Sequence, residues 1–325
     1  MIGKTAMYTV VIPVYRNEES LPDLLLALSA VVRDVNDNTG EVCELVFVID
    51  GSRDASELIL RDRLLDMPFP SKLLVHSRNF GSFAAIRSGL EAGEGDWFAA
   101  VAADLQEPPE LLSAFLDALR SGAADVVVGE RNSREDPWLS RLAARVFWGL
   151  YRWLVMPQMP SGGVDVFGCT RRVRDLLLSF KETNSALIGQ LFWVGFRRHT
   201  VPYARRRRIH GRSAWTMGRK IRYMWDSIYS FSDVPIRLLM WIGTSGIIFA
   251  SLLGLTVVIA RISGAVPVPG YAATVITVLF FGALNTLGLG IVGTYAWRTF
   301  ENTKARPLSI VAARYEFRAS TTNPS

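Results

Sequence analysis

Cysteine is scarce in this chain: Cys43 and Cys169 are the only two in 325 residues. Two thiols in apolar surroundings exclude a disulfide-stapled scaffold and give no zinc site. An apolar leader is missing too, since Met1–Thr5 runs directly into a strand-like segment. The longest absence is of charge itself, for no charged residue interrupts Leu238–Ala260 or Tyr271–Trp297. A bilayer core asks for about 20 consecutive apolar residues per helix, and soluble cores rarely run more than about 18 without a charge. Joined by Arg261–Gly270, rich in Gly and Pro, the two stretches read as a helical hairpin that enters and leaves a membrane on one side.

Charge gives the orientation. Arg219, Lys220, Arg222 and Arg237 precede the first stretch, Arg298, Lys304 and Arg306 follow the second, and the connection holds only Arg261. Basic residues stay on the cytoplasmic side, which puts both termini and the large N-terminal region in the cytoplasm. The net charge of +6 is modest but uneven, with a run at Arg205, Arg206, Arg207 and Arg208 followed by Arg212. Few base-stacking groups are interleaved with it, so nucleic acid is not the expected partner. Anionic lipid headgroups or a phosphorylated lipid fit better, and a plain solvated basic face is the alternative.

Two stretches are amphipathic. In Leu139–Met156, Arg141 and Arg145 stand apart from Leu142, Val146, Leu150 and Trp153; in Trp215–Phe231, Ile221, Trp225, Ile228 and Tyr229 recur at helical spacing. Such helices lie in the headgroup layer or pack on their own domain. Asn285 is the one strongly polar side chain inside a span, and Gly288, Gly290 and Gly293 beside it permit close helix contact within the hairpin or in a homo-oligomer.

The region before the hairpin alternates strands and helices. Tyr8–Val14 is apolar and β-branched, Leu21, Leu24, Leu25 and Leu28 follow at helical spacing, and further strands are expected at Glu44–Ile49, Leu73–His76, Trp97–Ala102 and Ala124–Val128. Helices are expected at Ala55–Leu65, Ser82–Ala92 and Pro109–Ser121. That pattern predicts a mostly parallel sheet covered on both faces. Ligands of such sheets bind beyond the carboxyl ends of the strands, where the polar clusters fall: Arg16-Asn17-Glu18, Asp50-Gly51-Ser52, Arg78-Asn79-Phe80-Gly81 and Asp104-Leu105-Gln106.

In order and spacing, Val11-Ile12-Pro13-Val14-Tyr15-Arg16-Asn17-Glu18-Glu19, Asp50-Gly51-Ser52-Arg53-Asp54, Arg78-Asn79-Phe80-Gly81 and Ala103-Asp104-Leu105-Gln106-Glu107-Pro108-Pro109-Glu110 resemble the motifs of glycosyltransferase family 2. Gly162-Gly163-Val164-Asp165, the stretch from Arg205 to Thr216 and the closing Arg306-Pro307 extend the likeness to its polyisoprenyl-phosphate branch, over nearly the whole chain. The resemblance implies a GT-A catalytic domain over 1–212, a juxtamembrane helix over 213–235, a transmembrane hairpin over 236–298 and a cytoplasmic tail over 299–325. It also implies a multi-pass protein of the bacterial inner membrane.

The resemblance further implies a site. Pro13, Tyr15, Glu18, Asp50, Arg78, Asn79, Gly81, Ala103, Asp104 and Gln106 would bind the nucleotide sugar. Asp104 and Gln106 would hold Mg²⁺ or Mn²⁺, a Lewis acid for the departing diphosphate. Ala102 stands where the family's first Asp of Asp-x-Asp falls, Ile49 replaces the first of two acids before Gly-Ser, and Ala214 replaces a Lys. Arg131, Arg205 and Arg208 would grip the lipid phosphate, whose oxygens match guanidinium forks, with Ser213 assisting. Asp165 would orient the acceptor or act as a weak base, unless it is simply a turn aspartate after Gly162-Gly163. The expected activity is inverting transfer of a sugar, with UDP-glucose favoured as donor, onto undecaprenyl phosphate. A processive glycan synthase and a catalytically reduced nucleotide-sugar or lipid-binding partner protein are the alternatives, the latter suggested by Ala102 and Ala214.

Overall fold

The computed structural model describes residues 7–133, 138–160, 162–206, 217–263 and 270–320. Numbered along the chain, the first half runs β1 (Met7–Val14), α1 (Leu21–Thr39), β2 (Val42–Ile49), α2 (Ser56–Arg63), β3 (Ser71–His76), α3 (Ser82–Ala92), β4 (Trp97–Ala100), α4 (Leu111–Arg120) and β5 (Val126–Ser133). There follow α5 (Trp138–Leu154), β6 (Phe167–Thr170), α6 (Arg171–Ser179), α7 (Leu187–Trp193), β7 (Arg198–Ala204) and α8 (Met217–Phe231). Two long helices, α9 (Val234–Ile262) and α10 (Tyr271–Thr303), and a last strand, β8 (Val311–Phe317), complete it.

The strands form one sheet in the order β7-β5-β6-β4-β1-β2-β3-β8. Neighbours pair in parallel except at β6 and β8, which run antiparallel to theirs. The mixed α/β, mostly parallel architecture expected from the sequence is therefore present. Alternate residues of β1 feed opposite sides: Tyr8, Val10, Ile12 and Val14 pack with α1 and α4, while Val11 packs with α3. Strands buried on both faces read as near-continuous apolar runs, which is why β1 and β2 are plain in the sequence.

Several boundaries differ from expectation. The strand expected at Trp97–Ala102 ends at Ala100, because the chain swings out of the sheet toward Asp104 and Leu105, the latter at φ 56°. The strand expected at Ala124–Val128 instead runs from Val126 to Ser133 and carries Arg131 on its end. No element is expected over 299–325, yet Val311–Phe317 pairs antiparallel with β3 and forms one edge of the sheet. Tyr315 and Phe317 pack against the core, and Arg61 stacks on the Tyr315 ring at 4.6 Å.

Among the described residues, one segment, Val234–Thr256 of α9, is long and apolar enough to cross a membrane, with mean hydropathy 1.9 over its best window. Trp241, Phe249 and Ile262 of α9 and Phe280 and Leu289 of α10 are exposed. Asn285 is exposed as well, so no contact within the chain buries it. The C-terminal end of α10 is tied down: Arg298 pairs with Asp226 of α8 at 2.6 Å and lies 5.0 Å from the Tyr229 ring centre.

α3 lies so close to the sheet that a Cβ on Gly89 would meet Val11 Cγ1 at 2.2 Å. Overpacking of a core costs about 1–3 kcal/mol, more than the ~1 kcal/mol that Ala gains over Gly in a helix. Gly89→Ala is expected to lower the unfolding midpoint of the purified protein. An equal or higher midpoint would mean that the helix does not sit this tightly on β1.

Candidate active site

All parallel strands end at one edge of the sheet, and β6 begins there. The loops after β1, β2 and β3 meet first. Asn17 accepts from the Tyr15 amide at 3.0 Å, Ser52 Oγ accepts from the Arg16 amide at 2.8 Å, and Glu18 accepts from the Ala55 amide at 2.8 Å. Arg16, Glu18, Glu19, Arg53 and Asp54 line an open hollow here. Burial opposes the charge of Asp54, but hydrogen bonds from Ser52, Ser56 and the Glu18 amide outweigh it and hold its carboxyl below the ordinary range.

Asp50 is placed differently from expectation. Its side chain is buried rather than open to a nucleotide. One oxygen meets His76 Nδ1 at 2.9 Å and accepts from the Phe80 amide at 2.8 Å; the other accepts from the Gly81 amide at 2.8 Å. Asp50 thus holds the 78–81 loop from behind. Arg78 and Asn79 are exposed on that loop, Arg78 stacked on Phe80 at 4.0 Å and Asn79 donating to the Asp50 carbonyl at 3.1 Å. The tight backbone approach is at Gly51, where a Cβ would lie 2.3 Å from the Arg78 carbonyl carbon and φ is +62°. Around Gly81 there is open space. Pro13 sits within β1 opposite Val48, Tyr15 is exposed beneath the Arg16 guanidinium, and buried Ala103 offers its carbonyl to Ser20 Oγ at 2.9 Å. Neither Pro13 nor Ala103 presents a side chain as open as that of Tyr15.

The second cluster gathers Asp104, Gln106 and Glu107 after β4, Arg131 on β5, Asp165 before β6, and Tyr203 and Arg205 at the end of β7. Arg131 forms an ion pair with Asp165, whose same oxygen lies 3.8 Å from Arg205 and accepts from the Tyr203 hydroxyl at 3.4 Å. Asp165 is therefore more than a turn residue. Arg205 also lies 3.8 Å from Glu107 and donates to Gln106 Oε1 at 2.6 Å. Burial and the Asp104 charge push the Glu107 carboxyl up to about 7, with Arg205 and Arg131 opposing. Glu107 has no role expected from the sequence beyond its place in the motif; the one signal there is an acid three residues after Asp104, and its burial is a finding of the structure.

The donor chemistry fits a divalent cation shared with substrate rather than a cage of protein ligands. Among the described residues no three His, Cys, Asp or Glu side chains converge. Asp104 is an oxygen donor of the kind that Mg²⁺ and Mn²⁺ take, and such ions are commonly held by one or two carboxylates plus substrate phosphates. Gln106, expected as a second ligand, turns its amide oxygen to Arg205 instead. Arg208 and Ser213 lie outside the described residues.

A mostly parallel sheet of this topology, with carboxylate and guanidinium groups at its carboxyl edge, is consistent with the GT-A fold. The glycosyl transferase family 2 model matches residues 9–177. A bactoprenol glucosyl transferase of Shigella phage SfX is 30% identical over 307 residues, covering 94% of this chain and 99% of its own length. A prophage bactoprenol glucosyl transferase homolog of Escherichia coli K12 is 30% identical, covering 93% of this chain and 97% of that one. An uncharacterized glycosyltransferase of Synechocystis is 30% identical over 95% of both chains. In fold, the chain is similar to glucosyl-3-phosphoglycerate synthase from Mycobacterium tuberculosis, solved with Mn²⁺, uridine diphosphate and phosphoglyceric acid. The TM-score is 0.50 at 14% identity, covering 69% of this chain and 77% of that one. The chain belongs to glycosyltransferase family 2, and it is a glycosyltransferase, as its motifs imply.

Glu107 makes a pH signature. Its folded pKa of about 7 exceeds the ordinary 4.5, so between these values the unfolded chain has released a proton that the folded chain keeps. Stability from this group falls as pH rises through that window, and the loss is complete above about 7. Glu107→Gln is expected to flatten the decline in unfolding midpoint between about pH 5 and pH 8. An unchanged slope would place the Glu107 carboxyl in a less buried setting.

Proposed function

We propose that the protein moves glucose from UDP-glucose onto undecaprenyl phosphate, with inversion, at the cytoplasmic face of the bacterial inner membrane. The observation that carries this reading is the pairing of Arg131 and Arg205 around Asp165, at the same sheet edge as Asp104. Two guanidinium forks beside the donor-side carboxylate suit an acceptor that is itself a phosphate. The names of the phage and prophage relatives, both bactoprenol glucosyl transferases or homologs, support glucose and the lipid. The mycobacterial enzyme's complex with uridine diphosphate and Mn²⁺ agrees with that donor and metal.

In this reading, Arg78 and Asn79 on their Asp50-supported loop, together with Tyr15 and Glu18, bind the nucleotide. Asp104 would hold Mg²⁺ or Mn²⁺, which when bound would supply Lewis-acid stabilisation of the charge on the leaving diphosphate. Arg131 and Arg205, joined by Arg208 and Ser213, take over the acceptor phosphate as it displaces part of Asp165's pairing. An anionic phosphate oxygen forms the new bond to the anomeric carbon while the bond to the diphosphate oxygen breaks on the opposite face. No proton must leave the nucleophile first, so positioning and charge complementarity carry the rate. Asp165 keeps the two guanidinium groups aligned between turnovers. The α9–α10 pair forms the membrane hairpin, with both termini cytoplasmic. Exposed Val146 and Trp153 of α5 and Ile221 and Trp225 of α8 rest on the anionic headgroups.

The direct test is transfer of radiolabelled glucose from UDP-glucose into butanol-extractable lipid by the purified protein. Labelled lipid is expected with undecaprenyl phosphate present; its absence across a panel of nucleotide sugars would sink the reading. Asp104→Ala should cut the rate by about 10²–10³-fold without loss of folding, the size associated with losing one charge-stabilising group.

Arg205→Ala should raise the lipid phosphate needed for half-maximal rate by about ten- to a hundredfold, as for one charge-assisted phosphate contact. Arg205→Lys should recover only part of this. Weaker UDP binding by calorimetry with unchanged lipid dependence would assign this arginine to the donor side instead.

A further inference from the structure

Behind the nucleotide loop runs a buried polar chain that the reaction itself does not use. Asp50, which accepts from the Phe80 and Gly81 amides, meets His76 Nδ1 at 2.9 Å. His76 Nε2 meets Ser88 Oγ at 2.9 Å, and Ser88 Oγ meets Ser309 Oγ at 2.7 Å. Asp50, His76 and Ser88 are 2%, 2% and 4% exposed, so solvent does not substitute for these partners. The His76 ring also stands edge-on to Phe80, with ring centres 5.5 Å apart. Four elements contribute to one line: the β2 end, β3, α3 and the segment that follows α10.

That segment holds the same loop a second time. The Ile310 carbonyl accepts from the Ser77 amide at 3.0 Å, at the root of 78–81. Just beyond it β8 pairs with β3 from His76 back to Ser71. On its other side the segment continues from α10, whose Arg298 is bound to α8 and whose Asn302 Oδ1 accepts from the Thr183 amide at 3.1 Å. The stretch between Thr303 and Val311 therefore has fixed ends, one on the long helices and one on the nucleotide loop. A fully satisfied buried network of this kind specifies one arrangement, and loss of one member leaves a polar group unpaired.

We propose that His76, Ser88 and Ser309 are positioning residues of the donor site, and that residues 304–310 join the long-helix pair to the nucleotide loop. The proposal rests on reading Arg78–Gly81 as a nucleotide-binding loop. It adds that the loop's conformation is set by a segment more than two hundred residues later, the one that follows the second long helix.

Ser309→Ala removes the last link with the smallest change in shape. Three quantities would be read on the full-length protein: amide hydrogen exchange without ligands, UDP affinity by calorimetry, and the kinetic constants for donor and lipid. Expected are faster exchange confined to residues 77–81, UDP binding weaker by about three- to tenfold, and a matching rise in donor KM. That is the size of one lost neutral hydrogen bond. The kcat and the lipid dependence should stay within about twofold, which a general loss of folding would not spare. Ser88→Ala should give the same pattern, and Ser309→Thr should restore slow exchange. Unchanged exchange at 77–81, or faster exchange spread evenly over the sheet, would overturn the relay. Faster loop exchange with unchanged UDP affinity would overturn its role in donor binding. A parent protein that binds no UDP would instead refute the donor reading, while the exchange measurement still decides whether the relay sets the loop.

Discussion

The central strands are covered on both faces, and almost everything else about this molecule depends on that constraint. A side chain on β1, β2 or β4 has only packed apolar surroundings available, and an unpaired polar group there would cost several kcal/mol. Polar chemistry is consequently driven to the strand ends. At the amino ends a compact network plugs the sheet: Lys72 pairs with Glu44 and Glu94 at 2.7 Å, and Glu44 accepts from Thr9 at 2.9 Å. At the carboxyl ends polar groups gather into the two clusters of the candidate active site, some buried, as Asp50 and Glu107, and some open, as Arg78 and Asn79.

The two clusters differ in kind. Around Asp50 the hydrogen bonds link neutral amides and a histidine to one carboxylate, a rigid support for backbone. Around Asp165 the partners are two guanidinium groups, and Glu107 is pressed close to them at low exposure. Replacing one partner of such an ion pair by another anion is far less costly than leaving a guanidinium alone. A site that trades one anion for another therefore never exposes a bare buried charge. This suits the proposed exchange between an internal carboxylate and a lipid phosphate.

The first half of the fold was legible because its signals are local. Continuous apolar runs marked β1 and β2, and Leu21, Leu24, Leu25 and Leu28 at helical spacing marked α1, all buried in the structure. β7 and β8 were not legible: most of their residues are exposed or half-buried, and their strand character comes from partners far along the chain. The site divides in the same way. Its residues lie at strand ends, as motif and alternation indicate, but the direction in which a carboxylate or amide turns is decided at long range. Asp50 is turned inward by a histidine 26 residues on, and Gln106 by an arginine 99 residues on. Neither spacing carries a sequence signal.

β8 is made after both long helices, yet its place is against β3, deep in the order of synthesis. While the ribosome is still producing α9 and α10, the earlier strands can pair but β3 keeps one side of its backbone unpartnered. An open strand edge is a template for wrong pairing, and domains generally fold in the order in which they are synthesised. Covering of the β3 edge therefore waits for β8, made after the apolar helices, which brings Arg314 and Glu316 to the new edge. A chain cut between β3 and β8 leaves the buried, apolar β3 as the edge strand in place of the half-exposed, charged β8, and so presents a template for wrong pairing rather than a merely shorter domain.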